Sequence, residues 1–272
     1  MIFFSGKVKT ENLIDQAMLL MEKRQPKSAI PLFKKILKND PKNTVVLHNL
    51  GLALNQLKKY QDAITCFDMV IEIDPKYIAS INNRGIALAE LGNTDDALEY
   101  YNKAIEIDPK YAPAHYNKGV LYDKLLQHEE AIQSLNEALK CDSGNVNTAF
   151  YKGIVLGKMK KHEEALNCFE NIYRKHPKHL DAFFHKGIEL AELDKHERAL
   201  EIFDKLLHMH EDNVNVIYAM ARSNAAISNI DRALYLLEQA VKKDRKTIKK
   251  WAIEDEFFDS LQDEPKFRKI IK

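Results

Sequence analysis

Apolar residues along this chain recur at spacings of three and four, in paired stretches separated by short polar turns. In one pair, Leu47, Leu50, Leu54 and Leu57 mark one stripe and Ala63, Ile64, Phe67, Val70 and Ile71 mark another. This is the spacing of two amphipathic helices that each turn one face toward a partner. The pattern returns with a fixed period: Ile71 to Tyr77 reads IEIDPKY, and so does Ile105 to Tyr111, 34 residues later. Residues 10, 44, 78, 112, 146, 180 and 214 open seven units of that length, each predicted to hold a helix A, a turn and a helix B.

Aligned on this grid, position 8 holds Ala17, Gly51, Gly85, Gly119, Gly153, Gly187 and Ala221, and position 20 is alanine in all seven units, from Ala29 to Ala233. Small residues at both places predict close approach of A and B, a gain that offsets the roughly 1 kcal/mol cost of glycine inside a helix. Helix B is expected to stop at Asp40-Pro41, Asp74-Pro75, Asp108-Pro109 and His176-Pro177, because proline disfavours the helical region for the residue before it and donates no hydrogen bond. Asp95, Glu129, Glu163, Glu197 and Asp231 stand near the start of helix B, where the positive end of the helix dipole favours them.

These residues resemble the tetratricopeptide repeat pattern, with Leu50-Gly51, Ala63, Phe67 and Pro75 in the second unit and Gly85, Ala97, Tyr101, Ala104 and Pro109 in the third. The resemblance covers residues 10–247 and weakens at the ends, where Ala17 and Ala221 replace glycine. It implies an all-α fold, a right-handed superhelix (α-solenoid) of antiparallel helix pairs. Residues 1–9 are then a leader. Residues 248–272, with Trp251, Phe257, Leu261, Pro265, Phe267 and Ile270, are expected to cap the apolar end of the seventh repeat.

On helix A, positions 4, 7, 8 and 11 share one stripe, and positions 2, 5, 6, 9 and 13 lie roughly 160° around the helix. The first stripe is expected to face helix B, and the resemblance implies that the second lines a concave peptide-binding groove. Position 6 then offers Asn49, Asn83 and Asn117, followed by Tyr151 and His185. An asparagine row suits an extended peptide, because each amide has both a donor and an acceptor for the peptide backbone. Position 5 adds Tyr116, Phe150, Phe184 and Tyr218 as an aromatic anchor region, and position 9 adds Leu52, Ile86 and Val120. Position 9 serves equally well as packing between neighbouring A helices. The lysine and arginine pairs of the chaperone-carboxylate clamp, a known subclass of this repeat, have no counterparts beside these asparagines.

Charge narrows the partners. Basic and acidic residues number 41 and 40, so no global field draws the chain to nucleic acid or to a membrane surface, and neither is expected as a partner. Cys66, Cys141 and Cys168 are widely spaced and form no CxxC pair, which argues for a reducing, cytoplasmic setting. His128, His162 and His196 share one grid line at the A to B turn; these and His176, His179, His185, His208 and His210 are read as surface residues at helix ends, without metal-ligand spacing. No phosphate-binding glycine loop or nucleophile elbow occurs. The expectation is therefore a non-catalytic adaptor or scaffold without cofactor, binding a peptide segment of a partner protein. A module that assembles into homo-oligomers through its ends or convex face is the alternative.

Overall fold

The computed structural model describes residues 2–210 and 212–272, with side chains from residue 11 onward. Seven helix pairs follow one another: α1 (Ile2–Glu22) with α2 (Pro26–Leu37), α3 (Thr44–Gln56) with α4 (Tyr60–Ile73), α5 (Ile78–Glu90) with α6 (Thr94–Ile107), α7 (Ala112–Lys124) with α8 (His128–Cys141), α9 (Val146–Lys158) with α10 (His162–Lys175), α11 (Leu180–Glu192) with α12 (His196–Met209), and α13 (Val214–Ala226) with α14 (Ile230–Lys243). A tail of α15 (Arg245–Glu254), a 3-10 turn (Glu256–Leu261) and α16 (Pro265–Ile271) completes the chain. Residues 2–9 continue into the first A helix without a break, as one helix α1.

Helices α4, α6 and α10 end at the residue before the Asp-Pro or His-Pro pair. Asp74 and Asp108 then turn the chain by accepting the N–H of Lys76 and Lys110 at 3.0 and 2.9 Å. Helix α2 differs: it ends at Leu37, three residues ahead of Asp40. There the N–H groups of Asn39 and Asp40 both close on the Ile36 carbonyl at 3.0 Å, so the helix has unwound before the proline acts.

Every A to B turn has the same closure. The residue at position 15 takes a positive φ: Arg24, Lys58, Gly92, Leu126, Lys160, Asp194 and Ser228. The next N–H returns to a carbonyl five residues back, as Lys59 does to Leu54 at 2.9 Å and Gln127 to Tyr122 at 2.9 Å. Of the seven, Gly92 alone is a glycine. Inside each pair, the alanine at position 20 is fully buried. The large side chain at position 24 (Phe33, Phe67, Tyr101, Leu135, Phe169, Phe203, Leu237) is buried against position 8. A β-carbon on Gly51 would lie 2.5 Å from the Phe67 ring, and one on Gly153 would lie 2.7 Å from Phe169. Glycine is what lets the ring reach the backbone of helix A.

Position 7 departs from the expected apolar stripe. Arg84 reaches back 16 residues to Asp68 at 2.5 Å, Lys118 to Asn102 at 2.8 Å and Lys186 to Glu170 at 2.7 Å. Each pair ties a helix A to the helix B of the preceding repeat. The aliphatic stems pack while the charged heads bridge.

The chain divides into two compact units, residues 1–144 and 145–272. In the first, Phe33, Val46, Ala53 and Phe67 belong to one core cluster, and Ile64, Leu88, Tyr101 and Leu121 to another. In the second, one core cluster runs from Phe183 through α13 and α14 into the tail, taking in Ile248, Ala252, Phe258, Leu261 and Phe267. Phe258 and Phe267 are fully buried, whereas Trp251 keeps 40% of its surface. Phe258, Leu261 and Phe267 thus belong to this core, while the Trp251 indole lies at its edge, 5.5 Å from Tyr218. Among the described residues no helix is long and apolar enough to cross a membrane.

Candidate functional site

In the first unit, the three row asparagines sit on successive A helices, half-buried. Asn49 donates its amide N–H to the Val45 carbonyl at 2.8 Å, and Asn83 donates to Ala79 at 2.7 Å, each one turn back in its own helix. These bonds fix the amide orientation, and no donor among the described residues reaches the amide oxygens of Asn49 or Asn83. Asn117 is used differently: its Nδ2 donates across the repeat boundary to Oδ1 of Asn82 at 2.9 Å. Asn82 is itself buried, so Asn117 also acts as a staple between α5 and α7. In the preceding repeat, His48 Nδ1 and the Ser80 hydroxyl make the comparable bond at 2.8 Å.

Around this row, Leu52 and Ile86 pack partly against the core of the first unit, and Val120 is half-buried. At position 9, Leu52 and Ile86 thus contribute to packing within this unit. Tyr116 is half-buried on α7, and burial raises its phenol above the ordinary value.

In the second unit, the aromatic positions do come together. His185 lies 5.3 Å from Phe150 edge-on, 5.2 Å from Phe169 in a stack and 5.5 Å from Phe184, and Phe150 also meets His179 at 5.3 Å. Burial in this cluster lowers the His185 pKa, against a smaller opposing effect of Asp181. Tyr151 is half-buried on α9. Tyr218 is a correction to the expected open groove: it is 7% exposed, its ring lies 5.9 Å from Phe258 and 5.5 Å from Trp251, and its hydroxyl donates to Asp255 at 2.7 Å. The tail has folded over it.

The histidines also differ from the expected surface residues. His196 is 6% exposed and points its ring edge at Phe257. His162 meets the buried Glu189 at 2.8 Å, and His128 lies 3.1 Å from the buried Asp123. Burial raises the Glu189 pKa, and the bond to His162 opposes it. Sequence offered a sign of this pair. Glu189 stands at position 10, where other repeats hold Ala53, Ala87, Leu121 and Val155. Gly157, on the preceding A helix, clears the space, since a β-carbon there would be 2.7 Å from Oε1. Among the described residues no group of three metal-ligating side chains is gathered, and the three cysteines are unpaired, with burial pushing the Cys66 thiol up to about 11.

Profiles of the tetratricopeptide repeat match residues 43–110, 77–143 and 152–214, together more than half the chain. The chain belongs to the tetratricopeptide repeat family. Among solved structures, a tetratricopeptide repeat protein from Parabacteroides merdae is 22% identical, with a TM-score of 0.62 over 89% of this chain and 96% of that one. YrrB, described as a TPR protein with an unusual peptide-binding site, is 23% identical, with a TM-score of 0.59 over 69% of this chain and 97% of its own. MamA from Desulfovibrio magneticus is 22% identical, with a TM-score of 0.52 over 63% and 97%. At these identities the likeness carries the solenoid fold and nothing finer. Comparison with curated proteins gave no match.

Proposed function

We propose that this tetratricopeptide repeat protein is a non-catalytic adaptor that binds a peptide segment of a partner protein along its A helices. On the first unit Asn49 and Asn83 hold the peptide backbone; on the second unit, taken by itself, the Phe150, Phe184 and His185 cluster receives apolar side chains. The observation that carries this reading is the amide pair on α3 and α5, held by its own helix with both oxygens left to accept from a ligand. A fold of stacked helix pairs in a family of interaction modules supports it, as does the description of YrrB as peptide-binding.

The test is selection of peptides from a random library on the full chain, followed by titration on the Asn49→Ala, Asn83→Ala double variant. Asn117 is left in place, because its loss would strip Asn82 of its partner. The double variant is expected to keep its helical signal and lose about tenfold or more in affinity, at roughly 1 kcal/mol for each hydrogen bond. Undiminished affinity would sink the asparagine reading.

A further inference from the structure

At the end of the second unit, Tyr218, Arg222, Trp251, Glu254, Asp255 and Glu256 line an open cavity of about 470 Å³. Its inner wall already holds one cation. The Arg222 guanidinium lies 4.4 Å over the Phe257 ring, 2.7 Å from the Asp255 carboxylate and 3.0 Å from Glu192. With both carboxylates committed to it, Arg222 has no charge to offer an anion.

The outer wall repeats those components without a cation between them. Trp251 and Glu254 are three residues apart on one face of α15, while Ile248 and Ala252 bury the other face. Glu256 follows at the start of the 3-10 turn. Neither Glu254 nor Glu256 makes an ion pair among the described residues. Lys249 and Lys250 lie on the same helix, but neither lines the cavity. Three carboxylates, Glu254, Asp255 and Glu256, therefore line the cavity with one arginine, beside a half-exposed indole.

From this charge imbalance we infer that the cavity is a binding pocket for an arginine or lysine side chain of a partner protein, its cation held over Trp251 between Glu254 and Glu256. An indole is the strongest cation-π acceptor among side chains, and two unpaired carboxylates complete the attraction. The inference rests on the adaptor reading only in that the occupant belongs to a peptide.

Trp251 is the chain's one tryptophan, so its emission reports the pocket directly. The full chain is titrated with a blocked glycine-serine peptide bearing a central arginine, and with the same peptide bearing citrulline. The arginine peptide is expected to quench Trp251 saturably, with a dissociation constant on the order of a millimolar, and the uncharged citrulline peptide is expected to leave it unchanged. Glu254→Gln with Glu256→Gln should weaken the arginine peptide about tenfold with helicity and melting temperature preserved. Equal binding of the citrulline peptide, an unaffected double variant or the lack of any saturable change overturns the pocket. Free arginine matching the peptide overturns the assignment to a protein ligand. The Asn49→Ala, Asn83→Ala chain retains Trp251 and both glutamates, so its response should be unaltered, and failure of the asparagine row is read separately from failure of the pocket.

Discussion

Leu126 is the residue least suited to its place. It stands at position 15 of the fourth repeat with a φ of 61° and 78% of its surface exposed, so it bears the left-handed conformation without burying its side chain in return. Leu126→Gly should stabilise the chain by about 0.5–1 kcal/mol, the left-handed strain removed less the added entropy of the unfolded glycine. The measurement is the denaturant midpoint at constant slope. His185 makes a second residue-scale prediction. Burial depresses its folded-state pKa below the ordinary 6.5. Below that value the unfolded chain takes up a proton that the folded chain refuses, so stability is present at neutral pH and falls on acidification. Melts at pH 7.5 and 5.5 should show the drop, and His185→Phe should reduce it. Some of the drop should remain, because burial depresses His48 in the same direction.

At the scale of helices, the repeat grid was legible because its signals agree. The period, the small residues at positions 8 and 20 and the Asp-Pro stops of α4 and α6 mark the same boundaries, with α2 the exception. What escaped the sequence is what depends on a neighbour one repeat away. Glu189 reads as an odd acid on an apolar stripe until Gly157 and His162 are seen beside it. Asn117 reads as a third member of a row until its bond to Asn82 appears. Position 7 reads as core, yet in three repeats it carries a cation aimed at the helix behind. Helical periodicity finds the face a residue occupies, but not which element arrives there. The aromatic members of the candidate site divide for the same reason: Phe150, Phe184 and His185 meet, while Tyr218 is claimed by a tail whose path the period does not describe.

For the molecule as a whole, the tail is part of the second core. Phe258 has no exposed surface and packs against Tyr218 and Phe267. Phe258→Ala should cost about 3–5 kcal/mol. In a stack where each repeat leans on its neighbours, that loss should stay near its source. Hydrogen exchange is expected to show faster opening of α13, α14 and α15, with α3 to α6 unchanged; uniform loss across the chain would contradict a local core. Trp251→Ala, by contrast, should leave the exchange pattern of these helices largely as it was.

A chain with seven similar units faces a hazard during folding, because two identical IEIDPKY stretches give a passing helix A more than one acceptable surface to dock on. The sixteen-residue ties supply a check on address. Arg84, Lys118 and Lys186 each meet an acceptor on the helix B directly behind them, whereas the equivalent places in the first, second and seventh repeats are Gln16, Leu50 and Met220, which carry no charge. A helix seated one unit out of place would set Met220 against Glu170 and leave Lys186, 18% exposed, without its counter-charge. The ties add little to the finished stack, and their larger effect is to make an uncharged outer helix unwelcome in an inner place.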